Sequence, residues 1–292
     1  MSRTLVVRAP ASTANLGPGF DCAAAALELW NELRVDPRAD ADPLVEVEGE
    51  GAGELPQGPE HLALRAFALF ARPDAYRFRF VNRIPLERGL GSSAAAVAAG
   101  LVAGATVSAR EVDAGELLAL GSELEGHTDN LAAAVHGGVC LTWRNGDGPK
   151  AARIAEDLPL TPVVVVPAER VNTEQSRGRL PSTIEHSDAT VAASHAALLG
   201  AAIASGSSQL LASAFHDRLH EPYREADAPL LSDLGRNRPR GAVGVTLSGS
   251  GPSVVVWTEK GDAEEVAAAL ARWYPEASVL ALRVAKEGAE AR

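Results

Sequence analysis

Apolar positions open the chain as a short run at residues 4–8 (TLVVR), and the run then breaks into ASTANLGPGFD, where Asn15, Gly17, Pro18 and Gly19 cluster. That pattern predicts a strand followed by a turn. Residues 23–35 (AAAALELWNELRV) carry a strand or strand–turn pattern despite their alanines, and 44–50 (LVEVEGE) alternates at period two, as an edge or half-buried strand does. In 61–72 (HLALRAFALFAR), Leu62, Ala66, Leu69 and Phe70 share one helical stripe, and Pro73 predicts its end. A strand over 76–84 then leads into GLGSSAA at 89–95, and that loop into an uncharged helix over 92–107.

Further along, 114–126 (AGELLALGSELEG) reads as an amphipathic helix ending at Gly126. The next helix begins at Thr128 or Asp129 as cap and ends at Gly137. Residues 138–143 (GVCLTW) predict a strand, and RNGDGPK at 144–150 the polar turn of a hairpin. From about 155 the character changes. LTPVVVVP reads as a fully buried strand, followed by helical stretches at 173–179, 188–204 and 207–219. Residues 242–258 read as strand, glycine loop, strand; 262–274 as a capped helix; 278–284 as a final strand. This order of elements predicts an α+β protein of two sheet-and-helix domains, residues 1–155 and 156–292.

Composition narrows the function classes. A chain of 292 residues can bury a large core without disulfides or metal. Its formal net charge of -11, with no basic run, argues against nucleic acid or an anionic membrane as partner. An anionic ligand must then be held by backbone N–H groups and a few placed arginines. Cys22 and Cys140 stand in no metal-binding spacing, which fits a reduced, cytoplasmic compartment, and the N-terminus lacks the apolar core of a signal peptide. Residues 89–109 carry no charge over the length of a membrane span. Apart from Leu90, Val97, Leu101, Val102 and Val107 they are small, so a buried helix is predicted instead.

Three segments combine glycine with hydroxyls: ANLGPGFD (14–21), GLGSSAA (89–95) and LSGSGPS (247–253). Glycines before a helix start offer unpaired N–H groups with partial positive charge, which is the chemistry of a phosphate cradle. An ordinary turn capped by serine reads equally well for GLGSSAA, a plain hairpin for LSGSGPS, and a turn with Asp21 as cap for ANLGPGFD. The residues alone leave these readings open. No lysine-bearing phosphate loop is present, and Ala94 stands where a dinucleotide fingerprint would have its third glycine. EGHTDN (125–130) gathers a carboxylate, an imidazole, a second carboxylate and an amide. It lacks a zinc spacing and suits Mg²⁺ held with substrate phosphates better. Surface arginines are usually solvated, the default for Arg179 and Arg218, whereas Arg177 and Arg224 gain interest only if they face one pocket.

Taken in order, ANLGPGFD, P-x-x-x-GLGSSAA (85–95) and LSGSGPS resemble the signatures of the GHMP kinase superfamily, small-molecule kinases that bind ATP without a Walker loop. Within it, STANLGPGFD (12–21), EGHTDN (125–130), TEQSR (173–177) and HDRLHEPYR (216–224) are similar to the homoserine kinases. The resemblance implies a nucleotide-binding N-terminal domain, a ferredoxin-like C-terminal domain and an active site between them. It places ATP on Pro85, Gly89, Leu90, Gly91, Ser92, Ser93 and Ala94, with Gly249 supporting the loop, and Mg²⁺ on Ser93 and Glu125. Asn15 and Asp21 would hold the ammonium of L-homoserine, Arg177 and Arg224 its carboxylate. His127, Asp129 and Asn130 would line its hydroxyl.

The resemblance also implies a mechanism. Related mevalonate kinases carry an aspartate at the position of Asn130, and an amide is no base. A loose phosphoryl-transfer transition state needs little early deprotonation. Direct transfer is therefore expected, Asn130 orienting the hydroxyl and Asp129 fixing local geometry. His61 stands where the family pattern has asparagine before leucine, which leaves the adenine contacts open. Dimers are common among such folds, so the resemblance admits a homodimer. Two other readings are kept: a kinase of mevalonate or of a diphosphocytidyl sugar alcohol, and a catalytically silent sensor of the same fold.

Overall fold

The computed structural model describes residues 4–39, 44–146 and 148–292. The first sheet is built from β1 (Leu5–Ala14), β2 (Ala23–Pro37), β3 (Val45–Gly49), β4 (Tyr76–Asn82), β5 (Val139–Asn145) and β6 (Gly148–Ala155). The order runs β1-β2-β4-β3, with β5 on β2 and β6 on β5, and among the described residues only the β3–β4 pair is parallel. The turn expected at RNGDGPK joins β5 to β6, and its Asp147 lies outside the described residues. Helices α1 (Leu62–Phe67), α2 (Ser92–Val107), α3 (Ala114–Glu125) and α4 (Thr128–His136) complete this half.

Small residues are placed where backbones must come close. A Cβ on Gly100 would lie 2.1 Å from the Ala63 carbonyl oxygen, and one on Gly104 2.7 Å from that of Phe67. The uncharged stretch is thus a core helix, α2, pressed against α1. A glycine inside a helix costs up to about 1 kcal/mol, and close packing offsets it. In the same way Ala24 and Ala26 of β2 form a small cluster with Ala14 and Ala133, which lets α4 sit on strands whose alanines would otherwise favour a helix.

The second half follows as β7 (Thr161–Val166), α5 (Thr173–Arg177), α6 (His186–Ser205), α7 (Ser208–Ala214), α8 (Glu221–Arg224), α9 (Pro229–Arg236), β8 (Ala242–Leu247), β9 (Val254–Thr258), α10 (Ala263–Trp273) and β10 (Ser278–Ala281). Its antiparallel sheet has the order β10-β7-β9-β8. With helices between β7 and β8 and between β9 and β10, this is the ferredoxin-like arrangement.

Several boundaries differ from the sequence-based expectation. α1 ends at Phe67, before Pro73, which instead opens a single 3₁₀ turn. α4 is capped by His127 with no side-chain hydrogen bond, so neither Thr128 nor Asp129 is its cap. The helix expected over 207–219 stops at Ala214, because the Asp217 carboxylate accepts from the N–H groups of Leu219, His220 and Glu221 at 2.8–3.0 Å. A side chain that takes up backbone donors in this way competes with helix. Finally, β11 (Glu290–Ala291) pairs with β1, and Val284 bridges to Leu27. The chain end thus returns to the first sheet, and a division at 155/156 does not keep all of 156–292 in the second half.

Candidate active site

One cavity of about 460 Å³ runs along the seam between the two halves. At its centre the loop after β4 feeds α2. The N-cap of α2 is Gly91, left-handed at φ 68° and without a side chain, so a serine-capped turn is not what forms there. The first-turn N–H groups have no capping oxygen and carry the positive end of the helix dipole. Gly89, also left-handed at φ 73°, has its carbonyl bound by Ser248 Oγ at 2.7 Å. Ser12 N–H donates to the Leu90 carbonyl, and Gly249 N–H to that of Ala14. The glycine loop is therefore clamped between the end of β1 and the β8–β9 hairpin. Pro85, Gly89, Leu90, Gly91, Ser92, Ser93 and Gly249 line the cavity; Ala94 is fully buried and is absent from its wall, leaving it only a backbone contribution.

On the rim of this loop Ser93 Oγ donates to Glu125 Oε1 at 2.6 Å. A hydroxyl and a carboxylate converging beside unpaired N–H groups are hard oxygen donors of the kind Mg²⁺ takes together with phosphate oxygens. His127 follows, its Nδ1 3.2 Å from the Glu125 carbonyl oxygen. The Glu125 carboxylate raises its pKa above the ordinary histidine value.

The turn after β1 is strained. Asn15, Leu16 and Asp21 all have positive φ, which for leucine is unfavourable and is held by complete burial of its side chain. That backbone places Asp21 in the cavity mouth, where Arg177 from α5 grips it with two hydrogen bonds of 2.7 and 3.1 Å. Arg177 Nε also donates to His127 Nε2 at 3.3 Å. Asn15 lines the cavity, its Oδ1 accepting from Asp21 N–H and its Nδ2 donating one N–H to the Gly249 carbonyl, which leaves a second N–H for a ligand. Asn15 also fixes the turn to the third glycine motif. Arg224 is buried, with Nη1 donating to Gly249 O at 3.1 Å and lying 3.2 Å from His220 Nδ1, over the ring of Phe20. Arg179 lies outside the cavity wall and pairs with Asp227.

Asn130 accepts from Ser12 Oγ through Oδ1 at 2.8 Å, which leaves its Nδ2–H to point at a ligand. Ser12 belongs to the first motif, but nothing in a sequence ties a serine to an amide 118 residues away. Asp129 Oδ1 accepts from the Asn130 N–H at 2.8 Å. Burial pushes the Asp129 carboxyl up to about 6, with the nearby Asp21 charge adding to the shift. The folded chain thus binds this proton more tightly than the unfolded chain. Stability from it is present below about pH 4 and is lost as pH rises towards 6, costing on the order of 2–3 kcal/mol above that. Asp129→Asn is accordingly expected to raise Tm by roughly 3–6 °C at pH 7.5 and to leave it unchanged at pH 4, as thermal melts at the two pH values would show. A lower Tm at pH 7.5 would contradict this account of the buried charge.

A cavity between a sheet-and-helix half and a ferredoxin-like half, with a glycine cradle at one helix start, defines a small-molecule kinase of the GHMP class. Residues 61–138 match the family model of the GHMP kinases N terminal domain, and residues 208–276 that of the GHMP kinases C terminal domain. Within that class the chain belongs to the homoserine kinase family. It is 41% identical over 262 residues to the homoserine kinase of Clavibacter michiganensis subsp. michiganensis, covering 87% of this chain and 82% of the relative. It is 42% identical over 263 residues to that of Mycolicibacterium paratuberculosis, covering 85% and 82%. The crystal structure of a homoserine kinase from Cytophaga hutchinsonii shares the fold, with a TM-score of 0.87 at 24% identity over 100% and 98% of the two chains. Among the described residues no helix is long and apolar enough to cross a membrane.

Proposed function

We propose that this kinase transfers the γ-phosphoryl group of ATP to the side-chain hydroxyl of L-homoserine, giving O-phospho-L-homoserine and ADP for threonine biosynthesis. The observation that carries the substrate is a charged cluster on the cavity wall. Asp21, Arg177 and Arg224 converge there, one anion and two cations, the complement of an amino acid's ammonium and carboxylate. Asp21 and Arg177 satisfy each other. A zwitterion entering between them exchanges that pair for two charge-assisted contacts, with Arg224 completing a fork for the carboxylate. Mevalonate and a diphosphocytidyl sugar alcohol have no ammonium to match Asp21.

Catalysis then rests on positioning. The α2 N–H groups hold phosphate oxygens, and the Asn130 Nδ2–H, aimed by Ser12, orients the hydroxyl or the transferring group. Asp129 holds the Asn130 backbone. No step assigned here needs a strong base, which agrees with the late proton transfer of a loose transition state. Ser93 and Glu125 would hold Mg²⁺, which when bound supplies positive charge to the phosphates. Glu125→Gln is expected to raise the Mg²⁺ concentration for half-maximal rate at least tenfold and to leave the KM for L-homoserine within threefold. An unchanged Mg²⁺ requirement would remove Glu125 from the metal site.

The deciding experiment is steady-state ADP release across L-homoserine, mevalonate and a diphosphocytidyl sugar alcohol. Preference for L-homoserine supports the proposal. Preference for another alcohol overturns it, and so does binding of nucleotide with no ADP released from any of them, the behaviour of a sensor.

A further inference from the structure

Arg224 lines the cavity, yet it is buried, and among the described residues no carboxylate pairs with it. Its hydrogen bonds go to neutral groups. Nη1 spends its two N–H groups on the Gly249 carbonyl, at 3.1 Å, and on Nδ1 of His220, at 3.2 Å. His220 stands at the N-cap of α8, four residues before Arg224 at the end of that helix.

The far side of the imidazole is bound to another element. His220 Nε2 lies 2.9 Å from the carbonyl oxygen of Gly17, in the strained turn that carries Asp21, and the ring stacks on Phe20 with centroids 5.0 Å apart. Asp217, which accepts from the N–H groups of residues 219–221, fixes the backbone beneath the ring. The ring itself is completely buried.

Only one tautomer satisfies both partners. A guanidinium donates and a carbonyl accepts, so Nδ1 must be bare and Nε2 must carry the proton. Burial lowers the pKa of His220 below the ordinary histidine value, which keeps the ring neutral at pH 7. Gly17, the imidazole and Nη1 thus form a strut between the turn bearing Asp21 and the cation of Arg224. A buried cation left without an anion is costly, and a substrate carboxylate supplies the missing charge.

We infer that His220 is a positioning residue for the substrate carboxylate: Nδ1 aims the Arg224 guanidinium, and Nε2–H ties that aim to the turn bearing Asp21. This rests on the reading above in which Arg224 takes the carboxylate, and adds what holds it in place.

Two amide substitutions divide the two ring nitrogens. His220→Asn keeps an acceptor near the place of Nδ1 and loses the donor to Gly17; His220→Gln keeps a donor near the place of Nε2 and loses the acceptor for Arg224. In steady-state kinetics His220→Gln is expected to raise the KM for L-homoserine about tenfold, as befits one lost hydrogen bond to a charged group, with kcat within about threefold. His220→Asn should keep both constants within about threefold of the native chain. With 2-amino-1,4-butanediol, which has a hydroxymethyl group in place of the carboxylate, kcat/KM should be the same for His220→Gln and the native chain. Equal KM values in the two variants, or an equal loss on the amino alcohol, would overturn the inference. In the native chain, nitrogen-15 spectra should show the His220 proton on Nε2 at pH 7, and a proton on Nδ1 overturns the inference even where both variants fold poorly. Turnover of mevalonate in place of L-homoserine would sink the substrate proposal alone. Mevalonate also bears a carboxylate, and the ratio of its KM values in the two variants would then decide for or against His220.

Discussion

Gly89→Ala is expected to lower kcat/KM for ATP by 10²–10³-fold. A Cβ at residue 89 would stand 2.0 Å from the Ser248 carbonyl oxygen and 3.1 Å from the backbone of Gly251, in a conformation (φ +73°) that already costs alanine about 1 kcal/mol. Both neighbours are backbone atoms of the turn between β8 and β9, so neither can swing away. The loop must lift off the second half and lose the Ser248 Oγ bond to Gly89 O. The phosphate N–H groups then point elsewhere. Gly249→Ala is the matching control: the nearest atom to its Cβ would be Gly89 O at 3.3 Å, so backbone strain dominates and a loss of about tenfold or less is expected. Titration of ATP and steady-state kinetics on both variants check the order. If Gly89→Ala stayed within threefold of the parent chain, the clamp would not be what shapes the cradle.

The contrast between these two glycines shows what a sequence can and cannot convey. Glycine-rich loops were legible as three segments, and α2 was predicted with the bounds it has, because small residues, a preceding strand and an uncharged run all agree over 92–107. The close approach of Gly89 to Ser248 is a contact across 159 residues, which no local pattern encodes. Asp21 and Arg177 were both singled out from motifs, yet their mutual pairing across 156 residues appears only in three dimensions. Where sequence reasoning went astray, a side chain had bonded to nearby backbone: Asp217 takes up the N–H groups of Leu219, His220 and Glu221, and the helix expected to run to 219 stops at Ala214. β11 escaped notice because a strand of two residues has no periodicity to read.

Asn130→Ala is expected to lower kcat by 10²–10³-fold, the cost of removing one placed donor at a centre of developing charge, with KM for L-homoserine within threefold. Ser12 decides how that donor is aimed. Its hydroxyl donates to Oδ1, so the amide presents N–H to the cavity, beside the N-cap of α2. Gly91 has no side chain for the same reason: a Cβ there would lie 2.1 Å from Ser12 Oγ and 3.0 Å from Asn130 Oδ1. Ser12→Ala should release the amide to either orientation and cost about tenfold in kcat, less than deletion of the amide itself. Asn130→Asp separates donor from base. If the N–H is what matters, a carboxylate there loses the donor and repels the phosphates, and its kcat falls to that of Asn130→Ala or below. If proton removal limits the reaction, Asn130→Asp equals or exceeds the parent chain, and the assignment of transfer without a strong base is wrong. Single-turnover phosphoryl transfer in the three variants distinguishes these outcomes, because product release is then outside the measured step.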